Sequence, residues 1–212
     1  MSPAPDTPLA QSFMLFAHSP KEITLALLVT GLVVFLGMHL LPAASGIRGG
    51  LIARLGEKRY KTVFSLVSAV GLVLIVAGYA HSGDRTRVFA PLTAARHAAP
   101  FAMILSFILF AAANMRGNLR RRLGHPMLIG LLIWSAVHFL ANGDRTGTVL
   151  FGAFFAYAAI DLVSAVRRHA VKVFEPVARH DVIAIVGGTA VALAVMTFHR
   201  LLFGVPVVPW AL

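Results

Sequence analysis

Nine histidines and no cysteine leave imidazole, carboxylate and thioether as the side chains able to ligate a metal. His18, His81, His97, His169, His180 and His199 fall near expected loops or helix ends and read as solvated or interfacial. His39 and His138 differ, because each lies inside an apolar run, in FLGMHLL and WSAVHFL. His125 is intermediate: it opens HPMLIG, where Pro126 takes a first-turn position that needs no amide hydrogen. A histidine in hydrocarbon is by default a ligand or a proton site. The alternative is a strut, hydrogen-bonded to a carbonyl, serine or asparagine of a neighbouring helix. Two imidazoles from separate helices can also clamp a haem iron axially. Three further polar groups stand out. Asn142-Gly143-Asp144 has the chemistry of a turn. Asp161, six residues before Arg167, is expected to pair with a basic group near the interface, with protonation or ligand binding as the other readings.

The elements that must position these residues are membrane spans. The 212-residue chain is 58% hydrophobic and 13% charged, with a mean hydropathy of +0.81. A soluble domain carries roughly 25% charged residues. The net charge of +11 does not indicate nucleic acid, since the basic residues cluster between apolar runs and are not interleaved with stacking aromatics. The partner implied is the lipid bilayer. Six runs approach the ~20 residues of a span: Glu22–Leu41, Thr62–Ala80, Ala98–Met115, Pro126–Ala141, Thr146–Val166 and Val182–Phe203. The fold class expected is an all-α, polytopic bundle of about six helices over residues 21–212. Residues 1–20 lack the basic start of a signal peptide. They form an extension, disordered or lying on the membrane surface.

Basic residues orient the bundle. Thirteen Lys and Arg follow runs one, three and five, among them Arg48, Arg54, Lys58, Arg120, Arg121, Arg122, Arg167 and Lys172, against six on the other side. The excess predicts cytoplasmic loops there and both termini outside, in a bacterial inner membrane. Counted from Lys21, His39 is 18 residues in; counted from Pro126, His138 is 12 residues in. At ~1.5 Å per residue across a ~30 Å core, the two differ in depth by about 15 Å, too far for one iron. By depth alone, His39 pairs better with His125. The tetrapeptide GDRT recurs at Gly83–Thr86 and Gly143–Thr146, both on the outer side, through duplication or through Gly-Asp turn chemistry.

Several stretches, in order, resemble the NnrU family of bacterial membrane proteins: FLGMHLLPAASGIRGGL, LGEKRYKTVFSLVSAVGLVLIVAGYA, LGHPMLIGLLIWSAVHFLANGD and LFGAFFAYAAIDLV. That family is tied to nitrite and nitric oxide reduction, which implies a role beside a membrane reductase. It is homologous to the 15-cis-zeta-carotene isomerase of plants and cyanobacteria, which binds haem b through histidines. The resemblance carries those ligands to His39 and His138, with His125 in reserve, and implies an apolar or polyene small molecule as a second partner. The isomerase has a cysteine one turn before the second histidine. Ser135 stands there in this chain, so a thiolate ligand is absent. HPMLIG is also similar to an element that holds S-adenosylmethionine in membrane methyltransferases of the isoprenylcysteine carboxyl type. Gly124 replaces their common arginine, and Glu175 alone stands for their later glutamate pair.

Overall fold

A computed structural model describes residues 20–82 and 86–209. The expected N-terminal extension, with His18, and Gly83, Asp84 and Arg85 of the first GDRT copy lie outside the described residues. The described residues form helices and no strands. In chain order these are α1 (Pro20–Leu40), α2 (Ser45–Leu55), α3 (Glu57–Ala80), α4 (Thr93–Ala113), α5 (Asn118–Leu123), α6 (Pro126–Asn142), α7 (Arg145–Arg167), α8 (Ala178–Thr197) and α9 (His199–Phe203). Five are long and apolar enough to cross a membrane (α1, α3, α4, α7 and α8), and α6 is a shorter apolar helix.

Four boundaries depart from expectation for identifiable reasons. The second run starts at Glu57, because an i,i+4 ion pair between Lys61 and Glu57 carries the helix through a charged first turn. The third starts five residues early, at Thr93, where Leu92 and Leu140 join by a backbone hydrogen bond. The sixth starts four residues early, at Ala178, and breaks at Phe198, leaving α9 as a separate turn. The glycine-rich α2, SGIRGGLIARL, was not expected. None of its residues is buried, and it packs on α3, where Arg48 lies 5.8 Å over the Tyr60 ring.

The long helices pack in the sequence α3–α1–α7–α6–α4–α8. Glycines set the closest approaches. A Cβ at Gly31 would stand 2.6 Å from the Ile75 nitrogen, and one at Gly78 would meet the Leu28 backbone. Gly130 on α6 faces Ser106 on α4, and Gly188 on α8 faces Ile108. Between helices in lipid, close packing of small residues replaces the hydrophobic drive available in water. The fully buried Ser106 adds a 2.6 Å hydrogen bond to the Gly130 carbonyl.

The two ends of the bundle are tied differently. At the end lacking most basic residues, Gly143 takes a left-handed conformation (φ +75°) that closes α6. Asp144 then caps α7 by accepting from the Gly147 amide at 2.8 Å. The Asn-Gly-Asp segment is therefore the turn its composition suggests. Thr86 accepts from the Arg145 amide, so the described end of the first GDRT copy lies against the second. At the basic end, Asp181 accepts from the Asn118 and Leu119 amides and the Asn118 side chain, anchoring α5 to α8.

Candidate functional site

His39 is the next-to-last residue of α1, and its Nδ1 lies 2.7 Å from the Phe35 carbonyl oxygen. Its ring stacks on Phe35 at 4.2 Å and meets Phe64 of α3 at 5.2 Å and Tyr157 of α7 at 6.4 Å. His138, on α6, holds its Nδ1 2.8 Å from the Trp134 carbonyl oxygen. Its ring lies against Trp134 at 5.0 Å and Phe151 of α7 at 4.8 Å.

The shared pattern fixes the chemistry of both rings. A carbonyl oxygen only accepts, so each neutral imidazole donates from Nδ1 and keeps the lone pair on Nε2. Nε2 makes no hydrogen bond in either ring among the described residues. The bonds run within one helix, so neither histidine is a hydrogen-bonded strut to a neighbouring helix. A ring oriented by a carbonyl at one nitrogen leaves the other nitrogen available as a donor to a metal, and the exposed His81 makes the same bond to the Ala77 carbonyl.

The two helices that carry these rings flank α7, whose Phe151, Phe154 and Tyr157 form a ladder at three-residue spacing. Phe154 meets Phe35 at 6.1 Å and Trp134 at 5.6 Å, linking the two histidine stacks. The rings are in separate stacks. Their nearest α7 partners, Phe151 and Tyr157, are six residues apart, or about 9 Å along the axis. Side chains lean toward the N-terminus of their own helix, and α1 and α6 run in opposite directions, so the two rings lean toward one another.

Below His39 the site becomes polar. The Tyr157 hydroxyl donates to Asp161 at 3.3 Å. Arg168 lies 3.8 Å from the other Asp161 oxygen and donates to the Pro42 carbonyl at 2.9 Å. Asp161 thus pairs with a basic group at the end of the helix, and the same arginine ties the end of α1 to α7. The pairing with a nearby basic group was expected, whereas the Arg168–Pro42 contact has no local signal because it spans 126 residues.

His125 does not join this site. It precedes α6 at the basic end, thirteen residues or about 20 Å before His138. It lines a cavity of about 180 Å³ with Arg120, Gly124, Lys172 and Phe174. Ser135 is fully buried, and its hydroxyl donates to the Leu131 carbonyl of its own helix at 2.6 Å. Among the described residues no group of three or more His, Cys, Asp or Glu side chains is placed to hold a metal ion. A haem iron held by the porphyrin needs only axial donors; His39 and His138 each offer an imidazole of that type, in separate aromatic stacks.

A family model described as NnrU protein matches residues 27–207, and the chain belongs to that family. No curated protein and no solved structure matches the chain.

Proposed function

We propose that this NnrU-family chain is an integral membrane haem-b protein of the bacterial inner membrane that supports nitrogen-oxide respiration, with His39 and His138 as axial ligands. The observation that carries the reading is the matched tautomer: two imidazoles on the two helices that pack on α7, each tied through Nδ1 and leaving Nε2 unused among the described residues. Haem held by His39 and His138 would supply a one-electron couple. The chain does the rest. The Phe35 and Trp134 carbonyls orient the rings. The aromatic ladder of α7 keeps water from the space between them and supplies an apolar bed for a planar group. The Arg168 contacts with Asp161 and Pro42 hold the α1 end against α7. Such a site suits electron transfer or redox sensing beside a membrane reductase.

The test is an optical spectrum of detergent-purified protein from haem-supplied cells, oxidised and reduced, with pyridine haemochrome quantitation. Near-stoichiometric haem b is expected, lost or spectrally shifted in both His39→Ala and His138→Ala. Loss in only one variant reduces the site to a single axial histidine. Folded wild type without haem ends the proposal.

The second reading is a haem-dependent cis–trans isomerase of a carotenoid-like polyene. The apolar ladder favours it, and the absence of a thiol at Ser135 removes the ligand exchange that the isomerase resemblance implies. A polyene in lipid extracts of the purified protein is its direct test. The S-adenosylmethionine methyltransferase reading finds less support, because the cavity beside His125, about 180 Å³, lies below the ~300 Å³ at which small-molecule sites begin.

A further inference from the structure

We propose that α2 is an in-plane helix of the membrane surface at the basic end, with Ile47, Leu51 and Leu55 set into a leaflet of anionic lipid and Arg48 and Arg54 on the lipid phosphates. The proposal rests on α2 alone and does not depend on the role of the histidines.

The position of α2 limits what can cover it. α1 ends at Leu40, and α3 opens with the charged turn Glu57-Lys58-Arg59. α2 is therefore held where two spans leave the hydrocarbon, at the level of the headgroups. Its 11 residues reach about 16 Å, half of a ~30 Å core, so it cannot cross. Gly56, with φ +76°, breaks the path between α2 and α3, so α2 does not extend that span along its axis.

Little within the protein supports this helix. None of its residues is buried, and its N-terminus has no side-chain cap. A Cβ on Gly46, Gly49 or Gly50 would meet nothing within 4 Å, so close packing does not require these glycines. Glycine is a poor helix former, and a helix shorter than ~12 residues is marginal in water. Such a segment is stabilised by a surface outside the chain.

The side chains specify that surface. Ile47, Leu51 and Leu55 stand four residues apart on one face. Ile47 is 62% exposed and Leu55 38%. Arg54 and Arg48 flank this face on its two sides, and the opposite face carries Ser45, Gly46, Gly49, Gly50 and Ala53. Apolar chains along one face, with arginines at its edges, suit a helix lying in a lipid interface. The apolar groups enter the acyl boundary, and the arginine stems snorkel back to phosphate. Charge selects the lipid. Residues 45–61 carry Arg48, Arg54, Lys58, Arg59 and Lys61 against a single carboxylate, Glu57, which pairs with Lys61. The surplus favours an anionic leaflet over a neutral one. It disfavours a second copy of α2, which would bring like charge to the same face.

The chain has no cysteine, so single labels test the placement in full-length protein. Ile47→Cys, Leu55→Cys and Gly49→Cys each carry a nitroxide in nanodiscs of equal parts phosphatidylglycerol and phosphatidylcholine. Power saturation then compares access of oxygen, which partitions into lipid, with that of a water-soluble nickel chelate. Oxygen is expected to dominate at 47 and 55, and nickel at 49. For lipid choice, a bimane at Leu55→Cys is quenched by brominated phosphatidylglycerol or brominated phosphatidylcholine at equal mole fraction. The anionic lipid is expected to quench about twofold more or better. Arg48→Gln/Arg54→Gln should remove most of that difference, and Arg200→Gln, at the other end of the bundle, should leave it unchanged. If the double variant does not fold, Arg54→Gln alone is expected to reduce the difference by about half. Nickel access at 47 and 55 equal to that at 49 places the helix in water and overturns the proposal. Exclusion of both reagents at 47 and 55, with spin–spin broadening, assigns the face to a second copy and overturns it too. Equal quenching by the two lipids overturns the anionic assignment.

Discussion

At the residue scale, the two intramembrane histidines are legible in the sequence as polar groups where hydrocarbon should run unbroken. Their tautomers are not, because these depend on a rotamer that brings Nδ1 back onto the carbonyl four residues earlier. The same limit applies to serine. Ser106 and Ser135 are both fully buried in apolar helices and look alike in sequence. Yet Ser106 bonds across to α6, whereas Ser135 bonds within its own helix. This difference yields a prediction. Ser106→Ala should lower the unfolding free energy in detergent by about 0.5–1.5 kcal/mol, the range of interhelical hydrogen bonds in membrane proteins. Ser135→Ala should change it by less than about 0.5 kcal/mol, since the bond lost joins no two helices. Reversible unfolding of both variants by denaturing detergent measures the contrast. Equal losses would mean that the Ser106 bond does not hold α4 to α6.

At the element scale, hydropathy located six apolar segments, and each became a helix. What it did not reveal was their pairing. Helix neighbours in lipid are chosen by where backbones can approach, and the glycines that permit this are scattered through runs that look uniformly greasy. Gly78 and Gly37 make the point. A Cβ on Gly78 would meet the Leu28 backbone, whereas one on Gly37 would meet nothing within 4 Å. Gly78→Val is expected to cost about 3 kcal/mol or more, because backbone cannot yield as a side chain can. It should also reduce the yield of monodisperse protein. Gly37→Ala should instead stabilise α1, by up to ~1 kcal/mol of helix propensity. Unfolding midpoints would show the opposite signs. Charged first turns explain the early starts: α3 begins with Glu57-Lys58-Arg59, which a hydropathy window rejects although the helix runs through it. The α5 anchor was equally hidden. Asp181 lies more than sixty residues from Asn118, and nothing in NLRRRL announces that its amides are satisfied from α8.

At the scale of the whole molecule, the charge asymmetry read from sequence becomes a physical end of the bundle. The connections after α1, α4 and α7, with the helix ends beside them, gather thirteen of the nineteen lysines and arginines there, while the opposite end is closed by the Gly143 turn and its contacts with residues 86–92. Positive charge is retained on the cytoplasmic side during insertion, so this end should face the cytoplasm. The chain offers an unusually clean test, because it has no cysteine. Single variants Arg54→Cys and Lys172→Cys place a thiol at the basic end, and Val88→Cys and His97→Cys place one at the other, all at exposed positions. In intact spheroplasts a membrane-impermeant maleimide should label the Val88 and His97 variants, and should reach the other two only after lysis. The reverse pattern would invert the bundle and move α2 to the outer face. Because α2 and the histidine pair belong to one body with fixed ends, this measurement also sets the side on which each stands. With the basic end inside, His39 and the Arg168–Asp161 pair stand nearest the cytoplasm and His138 deeper in the span.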